Sequence, residues 1–316
     1  MIGKFIIGVV LVLKGADWLT DGASAVARKF NISTMVIGLT IVAFGTSCPE
    51  LVVSILASIQ GHSEMAIGNV VGSNIFNTFA ILGCTAMVCP IVCKKNSMVF
   101  DMPINILATV LLVLFVLDSS VDGNSLGRFE GVILLICFAG FMTYTFSITK
   151  KGQANKTQTL ETGKEKSMAK AVILIVIGLC SLVGGGELLV QGASGIASVI
   201  GVSDSVIALT IVAAGTSFPE LATSIVAARK GDTDMAVGNV IGSNIFNVLF
   251  ILGIAAVIQP LQIGSITQVD FAVLLLSSLF MIFFCFEGKV KKLNRLEGGF
   301  FVICMIAYYV WLVYNA

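Results

Sequence analysis

One long motif occurs twice in this chain, 170 positions apart. The first copy reads GTSCPE at Gly45–Glu50 and GNVVGSNIFN at Gly68–Asn77; the second reads GTSFPE at Gly215–Glu220 and GNVIGSNIFN at Gly238–Asn247. Between Ile37–Pro90 and Ile207–Pro260, 32 of 54 aligned positions are identical. Shared Leu, Ile and Val would give only a loose likeness. Identity this dense, in polar and turn-forming residues as well, marks an internal duplication, so the fold must be built from two related halves.

Those halves are made of lipid-seeking sequence. Hydrophobic residues form 57% of the 316, charged residues 12%, and mean hydropathy is +1.00. A soluble domain has about a quarter of its residues charged, so this composition belongs to an all-α polytopic membrane protein. A net charge of +1 without a basic tract excludes a nucleic-acid partner. The eight cysteines (Cys48, Cys84, Cys89, Cys93, Cys137, Cys180, Cys285, Cys304) show neither zinc nor secreted-framework spacing and read as small packing residues. Met1–Leu13 has the look of a signal peptide. The next segment, Lys14–Ala23, aligns with Gly184–Ala193 at the same offset, so the N-terminal run belongs to the first repeat.

Ten stretches are long enough to span a bilayer, at 3–27, 35–60, 65–88, 101–117, 129–148, 170–199, 205–228, 234–258, 267–286 and 297–314. Residues 1–149 form a first five-helix repeat and 170–316 a second, with the duplicated cores at 37–90 and 207–260. The lysine-rich segment 150–169 between them reads as a tether. With the N-terminus outside, Arg28, Lys29, Lys94, Lys95, the linker lysines, Arg229, Lys230, Lys289, Lys291, Lys292 and Arg295 all fall on the cytoplasmic side. Both termini are then outside, in a cell (inner) membrane. Five spans per half is odd, so the second repeat enters inverted, the architecture of alternating-access transporters.

The motifs put polar groups at membrane depth, where lipid penalises them and function retains them. Thr46 and Glu50 lie four residues apart, Ser47 and Glu50 three, Ser73 and Asn77 four, and Thr216, Ser217, Glu220, Ser243 and Asn247 repeat the pattern. Each set shares a helix face. Pro49 and Pro219 have no N–H for the carbonyls of Gly45 and Gly215, and carbonyls around Ala43–Thr46 and Ala213–Thr216 are expected to turn free. The ligand set is carboxylate, hydroxyl, amide and carbonyl oxygen, which suits Ca2+ or Na+ rather than zinc or copper. Gly68, Gly72 and Gly83, with Gly238, Gly242 and Gly253, are expected to let helices approach closely. The competing reading of the glutamates is a protonated structural pair; for Ser73 and Ser243 it is inter-helix hydrogen bonding.

The paired GTS-x-PE and G-N-x-x-G-S-N-I-F motifs resemble the α-repeats of the sodium/calcium exchanger family, in its prokaryotic form, and the likeness covers essentially the whole chain. The resemblance implies four clustered cation positions. Glu50 and Glu220 would bind Ca2+ with backbone oxygens of Thr46 and Thr216. Ser47, Ser73, Ser217 and Ser243 would bind Na+ with the carbonyls of Ala43 and Ala213, and Asn77 would sit centrally. The first and sixth spans would be the moving pair. Many relatives carry Asp where this chain has Asn247, so the site lacks one acid.

The expected function is exchange of Ca2+ against Na+ without a cofactor, not enzyme chemistry. The lipid bilayer and the two ions are the partners. Coupling to H+ on the same scaffold stays open, and a Ca2+ channel is the remote alternative. Of the other polar residues, Asp17 aligns with Glu187, and Lys14, one turn away, reads as its local ion partner. His62 reads as a solvated loop residue, and Asp118, Asp122 and Asp204 as external acids.

Overall fold

The computed structural model describes residues 1–93, 97–117, 125–154, 167–199, 213–264, 266–286 and 292–315. In chain order these form α1 (Ile2–Lys29), α2 (Thr34–Thr46), α3 (Cys48–Ile59), α4 (Ser63–Val88), β1 (Ile91–Val92), α5 (Ser97–Val116), β2 (Ser125–Leu126), α6 (Arg128–Ala154), α7 (Met168–Val199), a short turn Ala213–Gly215, α8 (Phe218–Arg229), α9 (Thr233–Ile258), β3 (Leu261–Gln262), α10 (Gln268–Phe286), β4 (Lys292–Leu293) and α11 (Arg295–Asn315). Among the described residues, seven helices are long and apolar enough to cross a membrane, or eight if the bent pair α2 and α3 is one span. The chain is a multi-pass membrane protein. The expected seventh span falls partly on residues outside the described set, as do most of the tether, Lys94, Lys95, Lys289, Lys291, Asp118, Asp122 and Asp204.

Burial separates the helices into two classes. In α4 and α9, 78% of the apolar window is buried, against 17–39% in the other spans. The two motif helices are therefore the central posts, and the rest surround them with faces left for lipid. Each central helix contains one π-helical stretch, Asn77–Leu82 in α4 and Phe246–Ile251 in α9. A wider turn of this kind shifts the side chains that follow and is common at functional sites.

The expected continuous second span is broken. α2 and α3 meet at 49° with Ser47 at the break. Pro49 stands in the first turn of α3, where a missing N–H costs nothing, and it cannot donate to the carbonyl of Gly45. Pro219 stands likewise in α8. α3 and α8 both end in a tight turn at a glycine with positive φ, Gly61 at +79° and Gly231 at +82°.

The halves pack reciprocally. A Cβ on Gly8 would lie 2.8 Å from the Gly185 carbonyl; one on Gly15, 2.8 Å from the Gly178 carbonyl; one on Gly22, 2.7 Å from the Ala171 carbonyl. The paired numbers rise on one helix as they fall on the other, so α1 and α7 run antiparallel along a glycine seam of period seven. Gly178, Gly185 and Gly192 are themselves the 170-offset counterparts of Gly8, Gly15 and Gly22. The same reciprocity joins Gly83 to Gly298 and Gly253 to Gly131, where the late part of the repeat aligns at an offset of 167 (Leu126, Arg128, Glu130 and Gly131 with Leu293, Arg295, Glu297 and Gly298), each a backbone approach that a side chain would block. It recurs in the strands. β1 pairs antiparallel with β4 and β2 with β3, so each short strand finds its partner in the other half. In each case i meets j and the copy of j meets the copy of i, so the two copies make equivalent contacts with each other.

Several expectations are corrected. Cys93 and Cys285 are joined in a disulfide between the ends of β1 and α10, so these two are not merely packing residues; the other six cysteines are free. α6 runs to Ala154, past the expected start of the tether at 150. Gly83, Gly238, Gly242 and Gly253 make close approaches. A Cβ on Gly68 would meet only Ile266, at 3.8 Å, and one on Gly72 no atom within 4 Å, among the described residues. The 170-offset counterparts of the residues facing Gly238 and Gly242 fall at 205–213, which lie largely outside that set.

Candidate functional site

The breaks bring the two glutamates into the first turns of α3 and α8, where helix N-termini carry partial positive charge. Both side chains are fully buried. Each carboxylate accepts from the serine at the other half's break: Ser47 Oγ donates to Glu220 Oε1 at 2.8 Å, and Ser217 Oγ to Glu50 Oε1 at 3.0 Å. Ser243 Oγ lies 3.5 Å from Glu220 Oε1, at the limit of a hydrogen bond. The two breaks thus face each other, with α4 and α9 on either side.

Asparagines absent from the expected ligand set hold this arrangement. Asn69 Nδ2 donates to the Glu50 carbonyl at 3.2 Å and to Ser54 Oγ at 3.0 Å; Asn239 Nδ2 donates to the Glu220 carbonyl at 3.3 Å and to Ser224 Oγ at 3.0 Å. Thr46 Oγ1 donates to the Val42 carbonyl at 3.0 Å and reaches Asn239 Oδ1 at 3.1 Å. Between the central helices, Asn77 Nδ2 donates to Asn244 Oδ1 at 3.0 Å and Asn247 Nδ2 to Asn74 Oδ1 at 2.9 Å. Asn74 Nδ2 donates to the Asn244 carbonyl at 3.1 Å, and Asn244 Nδ2 to Thr78 Oγ1 at 3.0 Å. The signal for these residues was in the sequence, since Asn69, Asn74, Asn239 and Asn244 all lie within the duplicated motif.

What remains is a set of oxygens without partners. Among the described residues, nine buried side-chain polar atoms make no hydrogen bond, and six belong to residues of the expected ligand set: Glu50 Oε2, Glu220 Oε2, Ser73 Oγ, Asn77 Oδ1, Asn247 Oδ1 and Oγ1 of Thr216, which was expected to bind through its backbone oxygen. Buried polar atoms are normally satisfied, so their concentration in one motif asks for a ligand. All six are oxygens. Asn77 and Asn247 have committed their NH2 groups across the halves, which leaves each carbonyl oxygen turned free. Hard cations bind such sets, and the two carboxylates supply the charge to match. Among the described residues Ser73 Oγ has no hydrogen-bond partner, whereas Ser243 Oγ makes the inter-helix contact to Glu220 that the competing reading of the two serines expects.

Of the remaining expected ligands, the Ala43 carbonyl already accepts from Ser47 N at 3.0 Å. Ala213 opens the turn before the second break. His62 is exposed before α4, as expected of a loop residue. Asp17 does not pair with Lys14: its carboxylate meets Lys230 at 3.1 Å.

The surroundings are unequal. Thr46, Gly238, Asn239 and Gly242 are buried, while their counterparts Thr216, Gly68, Asn69 and Gly72 are each partly exposed. The Lys230 end of the site is closed more tightly than the Gln60 end.

The chain is similar to known proteins along almost its whole length. The model of the sodium/calcium exchanger protein family matches residues 1–147 and 170–314. The inner membrane protein YrbG of Escherichia coli K12 is 33% identical over 97% of this chain and 96% of its own length. The sodium/calcium exchanger MaX1 of Methanosarcina acetivorans is 33% identical over 98% of this chain and 97% of its own. A solved structure of the sodium-calcium exchanger NCX_Mj, soaked with Na+ and Sr2+, superposes with a TM-score of 0.82 at 33% identity, covering 97% of this chain and 96% of that one. Family and fold together support cation/Ca2+ antiport, and the chain belongs to the sodium/calcium exchanger family.

Proposed function

We propose that this protein exchanges Ca2+ for Na+ across the cell membrane by alternating access to one midplane site. The observation that carries the reading is the set of six unpartnered oxygens around two buried carboxylates. Glu50 and Glu220 hold the divalent ion. Ser47, Ser73, Ser217, Ser243, Asn77, Asn247 and backbone oxygens of Ala43, Thr46, Ala213 and Thr216 complete the Ca2+ and Na+ positions. Ca2+ and Na+ share the glutamates, so loading one disfavours the other. A site without cations leaves two carboxylates uncompensated in a low dielectric, which opposes movement of the site between the two sides.

The arrangement is ten spans in two inverted repeats, 1–149 and 170–316. Three observations support it. α1 has 28 residues, about 42 Å at 1.5 Å per residue, long enough to cross although its charges lower its hydropathy. The reciprocal seams and strand pairs fit a two-fold axis in the membrane plane. The pairing of β1 with β4 and of β2 with β3 needs the end of the third span on the side of the ninth–tenth loop, and the end of the eighth on the side of the fourth–fifth loop. Ten spans with the lysine-rich side inside satisfy both. The partly exposed lane past Asn69 and Gly72 then opens outward.

Calorimetric Ca2+ titration of the protein in lipid nanodiscs tests the reading. Na+ is expected to weaken Ca2+ binding steeply relative to choline at fixed pH, and Glu50→Gln or Glu220→Gln to abolish it. Binding indifferent to Na+ but weakened by acid would move the coupling ion to H+.

A further inference from the structure

Lys230 stands between α8 and α9, in the turn at the closed end of the site. Its Nζ lies 3.1 Å from Asp17 Oδ1, 3.0 Å from Asp21 Oδ1 and 3.0 Å from the Asp17 carbonyl, so one ammonium ties this turn to two carboxylates and the backbone of α1. α1 is otherwise bound chiefly to α7 through the glycine seam. Much of the outer surface of that pair is apolar and exposed, as at Ile6, Val10, Leu13, Ile173 and Val176. The Lys230 cluster is therefore an ionic fastening between the α1–α7 pair and the central helices.

The internal repeat says what becomes of it. In a protein of two related halves, the opposite access state is approximated by exchanging their roles. Under the 170 offset, Lys230 maps to Gln60, Asp17 to Glu187 and Asp21 to Gln191. Gln60 is neutral, so the mirror-image cluster cannot form an ion pair. Glu187 instead accepts a hydrogen bond from Gln191 Nε2 at 3.1 Å, and Gln191 Oε1 accepts from Lys4 at 2.9 Å. The charge cluster is thus available to one access state and has no equivalent in the other.

We infer that Lys230, with Asp17 and Asp21, is a one-sided latch that biases the resting protein toward the state closed at the Lys230 end. This rests on the alternating-access reading above. The three groups are half-exposed, so the latch is modest and sensitive to salt. Surface pairs of this kind are individually weak, so two shift the ratio of access states roughly two- to thirtyfold.

The test uses the full-length protein in proteoliposomes of known orientation. Apparent affinity scales with the fraction of protein open to the side tested. Lys230→Gln is expected to lower the apparent Ca2+ KM at the Lys230 end by roughly two- to thirtyfold and to raise it at the Gln60 end. High salt should do the same to the parent and little to the variant. Gln60→Lys builds the missing partner for Glu187, stabilises the state closed at the Gln60 end, and should shift both values in the same directions. Equal changes at both ends, or a change in maximal rate alone, would overturn the latch.

Hydrogen–deuterium exchange of residues 233–245 gives a readout independent of the transported ion. Lys230→Gln should speed exchange there, and so should Gln60→Lys, since both add population to the state open at the Lys230 end. If the parent shows no Na+-driven Ca2+ flux while the exchange rates shift as described, the functional reading fails and the latch stands. If flux is present and exchange is unchanged, the latch fails alone.

Discussion

Ser47 of the first half donates its hydroxyl to Glu220 of the second across 2.8 Å. Its mirror image, Ser217 to Glu50, spans 3.0 Å. Each carboxylate therefore has one oxygen held by the other half and one oxygen free. Replacing Ser47 by Ala leaves a buried carboxylate oxygen without its donor, at a cost of about 1–3 kcal/mol. The expected result is a lower melting temperature and a tenfold or larger loss of Ca2+ affinity by calorimetry. Ser217→Ala should match it closely. A large effect from one serine and none from the other would break the symmetry of the site.

Asn247→Asp tests the orientation of the amides. Asn247 now gives its NH2 to Asn74 Oδ1 at 2.9 Å. An ionised carboxylate there would face that oxygen with no proton to offer. We expect a loss of about 1–3 kcal/mol in thermal stability, with Asn74→Ala in the same chain restoring part of it. Unchanged melting would mean that Asn74 turns its amide at no cost.

The seam between α1 and α7 predicts a steric result. A Cβ on Gly15 would stand 2.8 Å from the Gly178 carbonyl, whereas one on Gly3 meets nothing within 4 Å. Gly15→Ala should force the helices apart and destabilise by about 1–3 kcal/mol. Gly3→Ala should leave the melting temperature unchanged. Equal behaviour of the two would contradict backbone contact.

The Cys93–Cys285 bond predicts a count. Denatured, unreduced protein should take a maleimide label at six cysteines, the eight of the sequence less the two that are paired. Reduction should raise the number to eight. Eight labels without reduction would show the pair to be thiols.

The sequence made the duplication and the buried polar residues of the motifs legible, because polar residues in apolar spans are conspicuous. It left Asn69 and Asn239 unassigned, since a brace to a backbone carbonyl depends on where two helices meet. The break at Ser47 was visible only as Pro49, which tells that one hydrogen bond is lost but not that the helix bends by 49°. The α1–α7 seam was readable in principle, as glycines seven apart at 8, 15 and 22 and again at 178, 185 and 192. Its pairing needed the antiparallel register. The Asp17–Lys230 pair joins residues 213 apart, beyond any local rule, so the nearer Lys14 drew the assignment.

The most direct measurement is ⁴⁵Ca²⁺ uptake into proteoliposomes loaded with Na+ and diluted into Na+-free buffer, with pH clamped on both sides. Uptake should vanish when internal Na+ is replaced by choline, and should be lost in Glu50→Gln and Glu220→Gln variants that still fold. Uptake at the parent rate in either variant, or uptake driven by an acid interior and indifferent to Na+, would contradict sodium-coupled exchange at this site.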